Sequence, residues 1–397
     1  MVEGEPAIKT SVDGASRVAR PPDEKEKGES TMKLPALGIF VIAVLMMANF
    51  APPARAATVD EVLAGLNKLP PKERQRRLEE GAKKEGSLVV YSNQGIETIQ
   101  EYASGFGKKY PFVKVESARL QGAKGLDRIL LEHRVGKLSA DVVGVDFDNI
   151  AELMKAGVHA RYDSPERKHY ASQYWDKNGR WYVADYTLAV IAYNTNLVKS
   201  GEAPKSYQDL LNPKWKNDIS IDNEPEQAVF AWMLDWGETK TAEYMKALMR
   251  NGAVARRGHT LQVQLLCSGE SKIAVEVYPP RVLQMKYEKK CPIAMVFPNP
   301  TPGSLGSHTG IAKSAKNPHA AALYVDFMLS EEGVVALTRG GGTIPARTGA
   351  KAGWQEIINA LEDKRIRKVI IGHEKMAELK EKGYKLMEDI IVRKQLK

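Results

Sequence analysis

Cysteine is scarce in this sequence: only Cys267 and Cys291 occur in 397 residues, too few for a disulfide-rich scaffold or a thiolate metal cluster. The catalytic motifs G-x-S-x-G and G-x-x-x-x-G-K-[ST] are absent, and His373-Glu374 is followed by Ala377 where the zinc motif H-E-x-x-H needs a second histidine. Basic residues do not cluster with aromatic ones, as nucleic-acid-binding surfaces require. We therefore predict that the chain is not an enzyme and does not bind nucleic acid, an exported α/β hydrolase being the less favoured alternative.

Only one apolar run is long enough to act as a targeting segment, and it lies in MKLPALGIFVIAVLMMANFAPPARAA. It contains about a dozen apolar residues, fewer than the roughly 20 that span a bilayer as a helix. A preceding lysine and a following Ala-Arg-Ala are typical of a secretory signal. We predict a signal peptide at 32–56, cleavage after Ala56 and a periplasmic mature protein, with an uncleaved anchor as the alternative. Residues 1–31, polar and rich in proline, are predicted to be a disordered or misread extension.

The two cysteines of an exported protein are expected to form a disulfide. Cys267 ends a predicted helix, and Cys291 lies between a predicted helix and the strand PIAMVF. In a βαβ unit these positions fall at the same end of the sheet, the end away from the ligand. We predict a bond between Cys267 and Cys291, with two buried free thiols as the alternative.

Strand and helix patterns alternate along the mature chain. The apolar runs SLVVYSNQG, VKVESARL and ADVVGVD are each followed by a helical pattern, which predicts a parallel sheet covered on both faces. A longer apolar strand, DYTLAVIAYNTNLV, leads into a second alternation, and the turn-rich passage NPTPGSLG leads back. The predicted fold class is α/β, with two lobes that face one cleft and close on a small solute. The predicted boundaries are lobe 1 at 57–185 with 305–350, lobe 2 at 186–304, and a C-terminal helical tail at 351–397.

The segment IAVEVYPPRV places a phenol at the end of a strand. Two prolines cannot continue a central strand, but they can begin a helix. Tyr278 is therefore predicted at the carboxyl end of its strand, where open α/β sheets bind ligands.

Other candidate contacts follow the remaining predicted strands. Gln121 and Gly122 lie in a strand-to-helix loop whose N–H groups suit an anion. Asp146 follows the third strand, and Asp222 and Glu224 precede a helix. Acids at helix starts are usually caps, but in the cleft they indicate a cation or an amine-bearing ligand. His259 precedes a predicted cap at Thr260 and is left outside the predicted set.

The succession of these segments resembles the periplasmic solute-binding proteins of ABC importers, in the group that includes the ferric-iron-binding proteins. The resemblance spans roughly residues 80–347 and rests on AKKEGSLVVYSN, LQGAKGLDRILLEHRVGKLSADVVGVD, GRWYVADYTLAVIAYN and NPHAAALYVDFMLSEEG followed by GGTIPAR. It implies a type II periplasmic-binding-protein fold without catalysis or cofactor, and a membrane permease and its ATPase as partners. We expect a monomer; a sensor that feeds a receptor instead of a transporter has the same sequence features.

The resemblance also implies a ligand. In the ferric members two adjacent tyrosines, where YPP stands here, supply phenolates; this chain keeps Tyr278 and has Pro279 in the second place. Ferric iron, alone or with an anion, is the predicted ligand, held by Tyr91, Tyr186 and Tyr278. The alternative is a small organic anion such as a phosphonate, sulfonate or carboxylate. The predicted ligand-binding set is Tyr91, Ser92, Asn93, Gln121, Gly122, Asp146, Tyr186, Asp222, Glu224 and Tyr278.

Overall fold

A computed structural model describes residues 57–339, 343–350 and 353–397. The predicted signal peptide and the extension before it lie outside these residues. The α-helices of the described residues are α1 Val59–Asn67, α2 Pro71–Glu85, α3 Ile96–Lys109, α4 Gly122–Arg134, α5 Ile150–Ala156, α6 Glu226–Trp236, α7 Glu238–Arg250, α8 His259–Ser268, α9 Pro279–Glu288, α10 Pro318–Leu329, α11 Glu331–Arg339, α12 Gln355–Glu362 and α13 His373–Met387. In the part of the chain that is described, none of the helices is both long and apolar enough to cross a bilayer.

The strands are short and belong to three sheets. They are β1 Ser87–Ser92, β2 Lys114–Arg119, β3 Val142–Val145, β4 Tyr182–Val183, β5 Asp185–Leu188, β6 Val190–Asn194, β7 Ile219–Asp222, β8 Val254–Arg256, β9 Ile273–Val277, β10 Ile293–Val296, β11 Thr301–Leu305, β12 His308–Ile311, β13 Ile344–Pro345 and β14 Lys368–Ile371.

The fold is two-lobed, and each lobe has its own sheet and apolar core. The first sheet has the order β2-β1-β3-β12-β4 and the second β10-β6-β9-β7-β8. One core contains Leu88, Val142 and Leu323, and another contains Trp232 and Ile273. The α/β class with two lobes predicted from the sequence is confirmed.

The sheets are mixed, whereas the sequence predicts parallel ones. Strands β1, β2 and β3 are parallel, but β12 is antiparallel to β3 and to β4. In the second sheet β7, β8 and β9 are parallel, and β6 is antiparallel to both β9 and β10. The parallel strands are those joined by helical crossovers. The antiparallel ones enter from the connections between the lobes, which need no crossover helix.

These connections form a third sheet with the order β13-β5-β11-β14. The predicted single strand over 185–198 is divided at Ala189, so that β5 joins this sheet and β6 joins the second lobe. The passage predicted as turn-rich instead forms β11, because β5 and β14 pair with it on its two sides. Pro302 accepts a hydrogen bond from Ala189 N (2.8 Å), and only glycine fits at position 303, where a β-carbon would lie 2.5 Å from Thr187 O.

The described C-terminal segment from residue 353 contains helices α12 and α13 and also contributes β14. Strand β14 runs parallel to β11. Helix α13 then packs against α6 and reaches α5 of the first lobe. The approach to α6 is close, because a β-carbon at Gly383 would overlap the ring of Phe230.

A disulfide joins Cys267, at the end of α8, to Cys291, just before β10, with their Cα atoms 5.3 Å apart. Both cysteines lie away from the end of β9 that carries Tyr278.

Replacing both cysteines by serine is expected to lower the free energy of unfolding by about 3 kcal/mol, because the bond constrains a loop with a sequence separation of 24 in the unfolded chain. Urea unfolding of the variant and the parent measures the difference. Dithiothreitol should reproduce the loss in the parent and leave the double-serine variant unchanged. Equal unfolding midpoints with and without the bond would contradict this expectation.

Candidate ligand-binding cleft

A cleft of about 900 Å³ lies where the carboxyl ends of the strands of both lobes meet. The first lobe contributes the loops after β1, β2 and β3, and the second contributes those after β7, β8 and β9. The connecting sheet forms the floor through Asp185, Thr187 and the end of β11, and α13 adds one wall through Lys380 and Tyr384. Polar groups from both lobes therefore face one solvent space, as closure on a small ligand requires.

Acidic side chains outnumber basic ones in the lining. The acids are Glu97, Asp146, Asp148, Asp185, Glu224 and Glu226. The three strong bases already have partners: Arg119 Nε donates to Gln94 O (2.9 Å), Arg281 Nη1 to Gln284 Oε1 (2.5 Å) and Lys380 Nζ to Asp148 Oδ2 (3.0 Å). Six carboxyl groups against three strong bases give the lining an excess of acidic groups, which favours a positively charged ligand.

Asp146 occupies the centre of the first-lobe wall. Its carboxylate accepts hydrogen bonds from Asn93 Nδ2 (2.6 Å) and Gly122 N (3.4 Å), and burial raises its pKa. Gln121 Nε2 donates to Asn93 O (3.0 Å) and fixes the loop. The N–H of Gly122, predicted to receive an anion from solution, thus faces a carboxylate of the protein itself.

Tyr278 follows β9 directly and is the N-cap residue of α9, with Pro279 and Pro280 at the helix start. Its phenol oxygen accepts a hydrogen bond from Gln227 Nε2 (3.3 Å). The ring of His259 lies against it, with centroids 4.3 Å apart. Burial raises the pKa of Tyr278, and the negative charges of Glu276 and Glu226 raise it further.

The second-lobe wall holds a group of acids around the start of α6, of which Asp222 and Glu276 are buried and Glu226 is half-buried. Burial and the nearby charges of Glu224 and Asp222 raise the pKa of Glu226 to about 8. Glu276 is fully buried behind the wall and accepts a hydrogen bond from Ala228 N (3.1 Å). Burial therefore favours the protonated form of both carboxyls unless a cation compensates their charge.

Asp222 lies behind the residues that line the cleft and holds their loops in position. Its oxygens accept hydrogen bonds from Glu224 N (3.0 Å) and Gly258 N (2.9 Å). These two residues belong to the two loops that carry cleft residues. Its Oδ2 lies 3.6 Å from His259 Nδ1. Asp222 therefore orients the loops.

The structure does not bring the three predicted metal-binding phenols together. Tyr91 points to the outer face of the first sheet, where Ser139 Oγ (2.7 Å) and Arg128 Nη2 (3.1 Å) contact its hydroxyl. Tyr186 lies between Asp185 and Thr187, which line the cleft, so its side chain points to the opposite face of β5. There it contacts Tyr174 at a ring distance of 6.1 Å.

The remaining predicted residues divide between the lining and its support. The lining contains Asn93, Gln121, Gly122, Asp146, Glu224 and Tyr278. Ser92 lies deeper, where its Oγ accepts a hydrogen bond from Gln94 N (3.2 Å). Within 57–339, 343–350 and 353–397, no group of three His, Cys, Asp or Glu side chains is close enough to hold a metal ion.

Several lining residues lie outside the predicted set, among them Asp148, Glu226, His259, Lys380 and Tyr384. Glu226 follows a proline at a helix start, the same signal that marks Glu224. Lys380 and Tyr384 are four residues apart on one face of a helix, a spacing that the sequence shows. Nothing in the sequence, however, states which surface that face covers.

Residues 139–367 match the model of the family described as bacterial extracellular solute-binding protein. The chain belongs to this family. The resemblance inferred from the sequence is thereby confirmed, and the match ends before β14 and α13. This solute-binding protein is 26% identical to iron uptake protein A1 of Synechocystis over 59% of the chain and 66% of that protein. It is 25% identical to the Fe(3+)-binding periplasmic protein of Serratia marcescens over 64% of the chain and 77% of that protein.

Solved structures share the two-lobed fold of this solute-binding protein. The ferric binding protein from Campylobacter jejuni superposes with a TM-score of 0.65 at 22% identity, over 76% of this chain and 99% of that one. The binding protein AfuA from Actinobacillus pleuropneumoniae, solved with fructose-6-phosphate, superposes with a TM-score of 0.62 at 22% identity, over 79% and 99%. These similarities establish a type II periplasmic-binding-protein fold.

Proposed function

We propose that this solute-binding protein captures ferric iron, alone or with an anion, and delivers it to the permease and ATPase of an ABC importer. The observation that carries the proposal is the collection of hard oxygen donors around Tyr278: the carboxylates of Asp146, Glu224 and Glu226 line the same cleft. Anionic oxygen ligands suit a small, highly charged cation. The names of the relatives from Synechocystis and Serratia marcescens support the same ligand.

Capture would proceed by closure of the two lobes. Asp146 stands on the first lobe, whereas Glu226 and Tyr278 stand on the second, so a cation bound by both walls favours the closed state. We propose lobe boundaries at 57–185 with 305–350 and at 186–304, with the hinge in the connecting sheet. We also propose that the protein acts without catalysis, as a monomer.

Export is part of the proposal, because ABC importers receive their ligands outside the cytoplasm. We propose that the signal peptide at 32–56 is cleaved after Ala56 and that the mature protein resides in the periplasm. Intact mass measurement of protein recovered from the periplasm tests this, since the cleaved chain begins at Ala57.

Ferric loading tests the ligand. The wild-type protein mixed with ferric citrate is expected to show a visible tyrosinate-to-iron absorption band, and Tyr278→Phe is expected to lose at least half of it. Tyr287→Phe is the matched control, because Tyr287 lies on the same helix α9 but outside the cleft and is 42% exposed. A wild-type protein that stays colourless would refute the ferric proposal.

Binding of an organic anion is the alternative result, and it is tested alongside ferric loading. Such binding would stabilise the folded protein by mass action and raise the melting temperature. We expect no such shift with phosphonates, sulfonates or carboxylates in the absence of iron, because Arg119, Arg281 and Lys380 are engaged with protein partners.

A further inference from the structure

The C-terminal helix α13 is an addition to the part of the chain that matches the family. The match ends at residue 367, and α13 spans His373–Met387. Nevertheless, α13 contributes Lys380 and Tyr384 to the lining of the cleft. A helix that lies beyond the segment matched by the family model thus contacts the space in which the ligand is proposed to bind.

Contacts at several points hold α13 in place. Near its start the His373 ring packs against Trp181 of the first lobe, with centroids 5.0 Å apart. In its middle Lys380 Nζ bonds to Asp148 Oδ2 (3.0 Å) of the same lobe. Towards its end Gly383 and Tyr384 pack on Phe230 of the second lobe, with ring centroids of Tyr384 and Phe230 5.8 Å apart. The position of Tyr384 is therefore defined by packing.

The hydroxyl of Tyr384 has no hydrogen-bond partner among the described residues. The charged groups that act on it are Glu226, Asp148, Glu224 and Asp146, all in the lining. Glu226 and Asp146 are also among the charges that act on Tyr278. Burial, followed by the charges of Glu226 and Asp148, raises the pKa of Tyr384. Some of the same carboxyl groups thus act on both phenols and disfavour their ionised forms. A cation bound beside them would favour the phenolates instead.

We propose that Tyr384 is a ligand-binding residue, which supplies a phenolate to the bound ferric ion from α13 while Tyr278 supplies one from the end of β9. On binding, the O–H bond of Tyr384 breaks, an iron–oxygen bond forms, and the proton leaves to solvent. The iron stays ferric throughout. Lys380 offsets the charge of Asp148 and leaves Asp146, Glu224 and Glu226 to the ligand. This inference rests on the proposed function.

A purely structural role for Tyr384 would need its ring but not its hydroxyl. Packing against Phe230 is apolar, and phenylalanine preserves it. The Tyr384→Phe variant therefore separates the two roles: it keeps the fold and removes the proposed iron ligand. Its melting temperature without iron should match that of the wild type.

Ferric citrate titration of the wild type, Tyr384→Phe, Tyr278→Phe and the control Tyr287→Phe tests the inference. We expect the absorption band of Tyr384→Phe to fall by about half and its ferric affinity, measured by competition with citrate, to fall at least tenfold. The control should be unchanged. If the wild type and Tyr384→Phe bind iron equally while Tyr278→Phe does not, the inference is wrong and the proposed function stands. If the wild type takes up no iron, both are wrong.

Discussion

Replacing Glu226 by glutamine is expected to raise the free energy of unfolding at pH 8 by about 4 kcal/mol and to leave it almost unchanged near pH 4.5. Burial and its acidic neighbours raise the pKa of Glu226 from 4.5 to about 8 in the folded protein. Between these values the folded state holds a proton that the unfolded state has lost. Stability therefore falls as the pH rises from 4.5 to 8 and then levels off. Glutamine keeps the shape of the protonated acid and removes this loss.

Urea unfolding at pH 4.5, 6 and 8 measures the effect as the difference between variant and wild type. Asp146 and Asp185 also have raised pKa values, but they contribute to both proteins and cancel in the difference. The pKa of Glu276 is raised partly by the charge of Glu226, so any change in its titration is part of the measured effect. Glu243→Gln is the control, because Glu243 is exposed on the neighbouring helix α7. A difference between Glu226→Gln and wild type that does not change with pH would show that Glu226 is ionised in the folded protein.

The ferric affinity of the wild type is expected to rise steeply between pH 6 and pH 8. Glu226, Tyr278 and Tyr384 hold protons at neutral pH, and the cation must displace each one to gain an anionic oxygen. Each displaced proton makes the affinity rise about tenfold per pH unit below the pKa of its group. Three displaced protons therefore correspond to an increase of about a millionfold over two pH units.

Competition titrations with citrate, corrected for the protonation of citrate, measure this slope. Glu226→Gln should bind iron more weakly and show a slope smaller by about one proton below pH 8, while Glu243→Gln should match the wild type. Other groups that titrate or carry charge lie near Glu226 and Tyr278. They are Asp146, Asp148, Asp222, Glu224, Glu276, His259 and Lys380. Equal slopes in Glu226→Gln and wild type would remove Glu226 from the ligand shell. An organic anion would show the opposite trend, because it would bind best when these acids are protonated.

Several features of the fold are local enough to be predicted from sequence. The βα alternation of the first lobe follows from apolar runs and helix signals that lie within about 20 residues of each other. The Pro-Pro step ends β9 at Tyr278, since proline lacks the N–H that a strand needs. The turn-rich passage at 299–306 shows where local signals fail: its turn residues form β11 because two strands distant in sequence pair with it.

The candidate site depends more on side-chain direction than on element type. Tyr91 and Tyr186 belong to strands beside the cleft, yet both point away from it. In a strand a shift of one residue moves a side chain to the other face, and the run Leu88-Val89-Val90 before Tyr91 is apolar on both faces. The order of the strands was therefore predictable, whereas the direction of these phenols was not.

The sequence alone determined the two-lobed α/β class, the end of β9 at Tyr278 and the presence of acids after several strands, because these depend on neighbouring residues. Only the tertiary structure decided which acids face one another and which phenols reach the cleft. Glu226, Asp146 and Tyr384 lie far apart in the chain, and packing alone brings them together. The docking of α13 on Phe230, through a glycine without a side chain, is what places Tyr384 beside the ligand space.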